Sequence, residues 1–456
     1  MTKDHYYYSV YPRVYEAGKP GRVTVKPKGR HAAFVNAEYY VTVIPLSTIN
    51  DRFTADSPPE FICPYLTIKP ENGVLAFDYV FESEQQYSLV IYDTSNRAKP
   101  LAQLDVYCVE NDLINLKPYK TETHCHTNNS DGAESVEFVP RYYRRYGFDT
   151  LAITDHGKYK PSIEAMEAFK GMPSDFALFP GEEVHAPRNP IHIINFGGEN
   201  GVSEIFQNDR ALYNRQVNEI INETYIPAEF DPYRVASCIW VSREIRKAGG
   251  LCILGHPGWQ SAPAKAAYND ADNKNSLIFG GCLQNYSVPL KMTLYLLETG
   301  IFDAWEIFGF SQLRNNRHIN IYLEAARKGI NIPAVGANDS HGVVVNTEWF
   351  NKAHTIVFAK NNTRGEMLSR LKNGFCAAVQ DGRGDEANGR LVIGGSRFMD
   401  YALFLLENYY DDYREYCLRE SVAMAGYLNG APDADVELAG ASCATEVFKK
   451  HFFEGL

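Results

Sequence analysis

The chain of 456 residues is longer than one ordinary core supports, so two or three domains are expected. Hydrophobic residues make up 45% and charged residues 22%, a globular composition, and no apolar run is long enough to span a membrane. The formal charge of -11 argues against a broad nucleic-acid surface, while leaving room for one small phosphate where cations supply local positive charge. In chain order, residues 1–117 carry short alternating runs at Arg22–Lys26, Glu38–Leu46, Val74–Phe81, Tyr87–Tyr92 and Leu101–Val109. Clusters such as EAGKPG, KPENG and DTSN separate them, the pattern of an all-β sandwich of immunoglobulin-like type. Its tyrosines (HYYYSVYPRVY) suit half-buried strand positions or an inter-domain contact, and could also stack on a sugar.

From residue 118 the grammar changes to apolar strands alternating with amphipathic stretches such as SVEFVPRYYRRYGF and NIYLEAARKG. Seven strands are predicted: Thr121–Thr127, Thr150–His156, Ala177–Val184, His192–Phe196, Leu251–His256, Phe302–Phe308 and Ile332–His341. Seven such repeats predict an α/β fold with a (β/α) barrel over 118–360. Residues 361–456 read as a helical C-terminal region packed on it. The nine cysteines stand singly without a CxxC pair, and MTKDHYYYSVYPRV offers no apolar leader, so a cytoplasmic location is expected.

The histidines are not scattered. Of 12 in the chain, six fall on the predicted barrel strands: His124, His126, His156, His192, His256 and His341. All but His192 close a strand, and in (β/α) barrels the C-terminal strand ends form the active-site face. His124 and His126 share one strand face, with Cα atoms about 7 Å apart. Imidazoles so placed converge on one metal or on two neighbouring ones. Cys125 between them points to the other face, where a small buried hydrophobe is expected. Asp339 and His341 repeat the two-residue spacing, and Asp131 and Glu183 add carboxylates. Imidazoles mixed with carboxylates suit zinc, manganese or iron better than calcium or magnesium. His185 could line the same pocket; His5, His31, His318, His354 and His451 default to surface roles.

Taken together, HCH followed by SDG, ITDH, PGEEV with HIIN, GHP and NDSH resemble the polymerase and histidinol phosphatase (PHP) superfamily over residues 118–360. The resemblance implies a distorted seven-stranded barrel with a trinuclear metal site and hydrolysis of a phosphate ester. On this pattern the metal ligands are His124, His126, Asp131, His156, Glu183, His192, His256, Asp339 and His341, holding two or three divalent ions (Zn, Mn or Fe). Asp155 reads equally as a residue orienting a neighbouring ligand or loop and as a helix N-cap. Glu306, in FDAWEIF, faces either pocket or solvent. Clustered cations ease proton loss from a water, and the hydroxide attacks a small phosphorylated metabolite or nucleotide. His256 or His341 would protonate the leaving oxygen. Arg188, Arg314 and Arg317 are candidate phosphate clamps. Two rival readings are an exonuclease on short oligonucleotides and a glycan- or partner-binding protein with a vestigial barrel site. Neither a long nucleic acid nor a membrane is expected as a partner.

Overall fold

The fold comes from a computed structural model, which describes residues 3–47, 64–95, 99–257, 290–309, 312–381 and 390–455. By its contacts the chain forms two compact units: residues 1–116, 396–419 and 439–456, and residues 117–395 with 420–438. The range 361–456 is therefore shared between them.

In the first unit, β1 (Tyr8–Tyr11), β3 (Pro20–Pro27) and β6 (Leu75–Val80) form one antiparallel sheet. A second sheet has the order β2-β8-β7-β4-β5, with β2 (Val14–Glu16), β4 (Tyr39–Pro45), β5 (Tyr65–Ile68), β7 (Gln85–Asp93) and β8 (Ala102–Val109). The alternation legible in the sequence turns Val23, Val25, Val41, Leu75, Leu89, Ile91, Leu104 and Val106 into one shared core. Helices Ser396–Asn408 and most of Ala434–Glu454 belong to this unit. There, buried Arg13 bonds the side-chain and backbone oxygens of Asn408 and ring nitrogen Nδ1 of His5.

The second unit is mixed α/β. A six-stranded sheet runs β11-β10-β9-β17-β18-β19, from β9 (Lys117–Glu122), β10 (Thr150–Ala152), β11 (Ala177–Phe179), β17 (Ala353–Ala359), β18 (Cys376–Gln380) and β19 (Leu391–Gly394). A five-stranded sheet runs β12-β13-β14-β15-β16, from β12 (Gly181–His185), β13 (His192–Phe196), β14 (Leu251–Leu254), β15 (Ala304–Phe308) and β16 (Ala334–Gly336). Two isolated parallel bridges, Cys125 with Ser340 and His156 with Glu183, join residues at the ends of the two sheets.

The named strands thus lie in two sheets instead of one continuous seven-stranded ladder. The predicted strand Ala177–Val184 is two strands, one in each sheet, broken at Pro180, which has no N–H to give a ladder. β12 and β13 pair antiparallel as a hairpin, with Gly181 opposite Phe196 and His185 opposite His192. β18 and β19 stand in the stretch expected to be helical. β18 is a buried apolar run and β19 a half-buried one, and periodicity alone does not separate such short runs from helix.

Candidate metal centre

The backbone lays the polar strand ends side by side. Asp339 N donates to His124 O (3.0 Å), His126 N to Ser340 O (3.0 Å), Gly157 N to Glu183 O (2.8 Å) and Gly255 N to His192 O (3.0 Å). Buried Glu122, one turn of the strand pattern before His124, anchors this arrangement. Its carboxylate accepts the amides of Thr123 and His124 (each 3.0 Å) and the side-chain amide of Asn338. Burial pushes its pKa up to about 7, against the pull of those donors. Asp339 holds φ at 50°, in the left-handed region, which aspartate tolerates better than most L residues. At Gly132 a Cβ would lie 2.7 Å from the backbone carbon and oxygen of His126. Only glycine lets the SDG turn close there, bringing Asp131 Oδ2 to 3.3 Å from both His156 Nε2 and His341 Nε2.

All nine sequence-predicted ligand residues come together. Ligand atoms gather in five overlapping groups: His126, Asp131, His156 and His341; His124, His126 and Glu183; His124, His256 and Asp339; His156, Glu183 and His185; Glu183, His192 and His256. One set can be measured against a metal. His124 Nε2, His126 Nε2, Asp339 Oδ1 and Glu183 Oε2 are separated by 3.2, 3.3, 3.4, 2.9 and 3.6 Å along five of their six edges. A regular tetrahedron with edges of about 3.3 Å has its centre about 2.0 Å from each corner, the length of a zinc–imidazole or zinc–carboxylate bond. Two imidazole nitrogens 3.2 Å apart share at most one proton, so at least one of them presents a lone pair here. Nδ1 of His126 is buried with no hydrogen-bond partner among the described residues. Its ring neighbours His156 and His341, at 4.3 and 4.4 Å between centroids. Donor chemistry, spacing and an orphaned ring nitrogen all fit divalent cations.

Supporting contacts orient the donors. Glu306 Oε1 accepts from His124 Nδ1 (2.8 Å), which turns Nε2 inward as the free lone pair, and its Oε2 accepts the His256 amide (2.8 Å). His341 Nδ1 is occupied by Asp339 O at 2.9 Å, leaving Nε2 for Asp131. Glu183 Oε1 lies 2.7 Å from His192 Nδ1 and 3.2 Å from His256 Nε2, and Oε2 lies 2.6 Å from His156 Nδ1. Burial opposes ionisation of Glu183 and Asp339, but the surrounding imidazoles overcome it and hold both carboxyls below their ordinary range. Burial equally opposes charge on His156, yet Glu183 and Asp131 push it up to about 10. His192, buried beside His185, is pushed down to about 3. Without cations the carboxylates thus draw protons onto some of the rings; the pocket calls for positive charge.

Two members of the site fell outside the predicted ligand set. His185 shares a strand face with Glu183, stacks on His192 at 3.9 Å between centroids, and puts Nε2 2.9 Å from His156 Nδ1. Glu306 faces the pocket. Asp155 stands outside the five groups: its oxygens accept Thr127 N (2.8 Å), Thr127 Oγ1 (2.6 Å) and Ser130 Oγ, pinning the loop that leads to Asp131. Cys125 is buried with its thiol toward Ala152 O. Arg188 is exposed, its guanidinium 4.2 Å from the centroid of the Tyr233 ring. Arg317 rides the helix Gln312–Arg327; the side chain of Arg314, on the same helix, lies outside the described residues. The surface default fails for His5, His318 and His354, all buried, each within reach of a fixed partner: Arg13, Ile307 O and Asp381.

No protein-family model matches the chain, and no curated protein does. Among solved structures it is similar to a two-domain protein from Bacteroides vulgatus described as containing a predicted PHP-like metal-dependent phosphoesterase. The identity is 16%, the TM-score 0.35, and the match covers 58% of this chain and 66% of that one. An amidohydrolase from Chromobacterium violaceum, with bound sulfate and no metal, is 18% identical at TM-score 0.30, over 50% of this chain and 89% of the other. A candidate metal-dependent phosphoesterase from Bifidobacterium adolescentis is 19% identical at TM-score 0.29, over 50% and 90%.

Proposed function

We propose that the second unit is a metal-dependent phosphoesterase of PHP type, acting on a small phosphorylated metabolite or nucleotide. The observation that carries the reading is the close set of His124, His126, Glu183 and Asp339, whose donor atoms lie 2.9–3.6 Å apart along five of their six edges, flanked by a second set of His126, Asp131, His156 and His341. We read the two end bridges as the closing seams of a distorted barrel. Two or three divalent ions, zinc, manganese or iron, would supply positive charge that eases proton loss from water and offsets charge on a phosphoryl group. Glu183, with both oxygens among ring nitrogens, holds the groups at fixed separation. Glu306 keeps the His124 proton on Nδ1. Asp155 keeps the Thr127–Ser130 loop, and with it Asp131, in place. The leaving oxygen takes its proton from His341 or His256, and Arg188, Arg314 and Arg317 are the side chains available to clamp phosphate. A charge of -11 favours small substrates over long nucleic acid. No described helix is long and apolar enough to cross a membrane, and no described cysteines are joined by a disulfide, which suits a cytoplasmic location.

The test is metal content of the purified protein, followed by a panel of phosphomonoesters, bis-phosphorylated nucleotides and short oligonucleotides with zinc, manganese and iron supplied in turn. Turnover is expected with at least one pair. His124→Ala and Asp339→Ala should each abolish it while leaving the far-ultraviolet circular dichroism unchanged. Full activity in both variants, or less than one ion per chain in the wild type, overturns the proposal.

A further inference from the structure

The segment after His341 is wrapped around one carboxylate. Glu134 Oε2 accepts the amide of Val343 (3.0 Å), and Oε1 accepts those of Val344 (3.0 Å) and Val345 (2.8 Å). Three consecutive N–H groups converging in this way make an anion nest, filled here by the chain's own side chain. The turn is tight enough that a Cβ on Gly342 would collide with the Val345 carbonyl oxygen. A second tie runs beside the first: Ala133 N donates to His341 O at 2.9 Å. Glu134 is itself fixed, its backbone oxygen accepting Asn128 N (2.8 Å), while Gly132 N closes on Thr127 O (2.9 Å).

The two segments so joined each carry one member of the flanking group. Asp131 stands three residues before Glu134, and His341 two before Val343. Glu134 belongs to none of the candidate ligand groups. Asp131 is the most exposed carboxylate in those groups, its side chain 54% accessible, and its Oδ2 sits 3.3 Å from His341 Nε2 across the joint. Asp131 lacks the encasement that holds Glu183 and Asp339, so its position depends on how the two loops are tied.

We infer that Glu134 is a positioning residue: its nest locks the Asp131 and His341 loops at the separation a cation needs. The inference rests on the metal reading above. Untied loops would have to be ordered by the ion itself, which lowers apparent affinity by the fraction of time they are apart. Residues supporting a ligand in this way are worth roughly 10–100-fold in metal affinity. In Glu134→Ala, the most weakly held ion should bind about 10–100-fold more loosely in chelator competition, with the remaining ions unaffected. Glu134→Gln keeps one acceptor oxygen and should show a smaller loss in the same direction; it also serves if the alanine variant does not fold. A merely structural residue would lower the melting temperature without a selective loss of one ion. Wild-type affinity for every ion in both variants overturns the inference. Amide exchange on metal-free protein separates the two readings. Protection of Val343–Val345 in the wild type, lost in Glu134→Ala, confirms the clamp, and its absence in the wild type refutes it. No metal uptake by the wild type refutes the metal reading itself.

Discussion

Glu306 offers a direct test of how the pocket is organised. It is 3% exposed and serves two buried donors at once, His124 Nδ1 through Oε1 and the His256 amide through Oε2, each at 2.8 Å. Glu306→Gln keeps the shape and replaces one acceptor by a donor. If the amide oxygen faces His124, its NH2 confronts the His256 N–H, and each buried donor left without an acceptor costs about 1–3 kcal/mol. If the amide is flipped, its NH2 requires a lone pair on His124 Nδ1. The ring proton then moves to Nε2, the atom 3.4 Å from Glu183 and 3.3 Å from Asp339, and the donor pair needed by a cation is gone. The second course should weaken metal binding about 10–100-fold, equivalent to about 1.4–2.7 kcal/mol. Chelator competition followed by metal analysis reads the affinity, and thermal melting of the metal-free protein reads the stability. One of the two must fall. A Glu306→Gln protein that binds every ion and melts as the wild type does would show that Glu306 does not set the His124 tautomer.

Two further outcomes follow from single contacts. Gly132→Ala places a Cβ 2.7 Å from the His126 backbone, so either the SDG turn or the His126 strand end must move. A loss of about 1–3 kcal/mol in thermal stability is expected, together with a lower metal content as Asp131 is displaced. His5, pushed down to about 3 by burial and by Arg13, is neutral in the folded state where the unfolded chain already binds a proton. Between about pH 6.5 and pH 3 the unfolded state therefore binds more protons, so stability rises with pH and is lost on acidification, by up to about 1.4 kcal/mol per pH unit. Urea titrations at pH 6 and pH 4 should show a smaller acid loss in His5→Gln than in the wild type; equal slopes would exclude His5 as a source.

The donors were legible because strand geometry is simple. His124 with His126 and Asp339 with His341 are two residues apart, the spacing that puts a pair on one face of a strand, although Asp339, with φ at 50°, reaches the pocket from just beyond the end of β16. The same rule joins Glu183 to His185 and Glu122 to His124, but each adds one polar residue beside a stronger neighbour and carries no separate mark. Glu306 lies inside an apolar strand, where sequence does not say which side of the sheet is the pocket. Glu134 acts on backbone amides more than 200 positions away, a pairing that leaves no local trace. The division into two sheets was hidden for a related reason: a single proline separates β11 from β12, and strand partners are chosen by tertiary packing rather than by the run itself.

The bridge between His156 and Glu183 gives two candidate ligands a second duty, since the backbone of the same residues stitches one sheet end to the other. Chemistry and architecture are therefore not separable at this rim. Replacing either side chain to retune the choice of ion keeps those backbone bonds, Gly157 N to Glu183 O and Glu183 N to Asp155 O, but removes a group packed against them. Swapping ions without changing residues leaves both intact, so variation in the cation is the gentler route by which such a pocket can acquire a new preference.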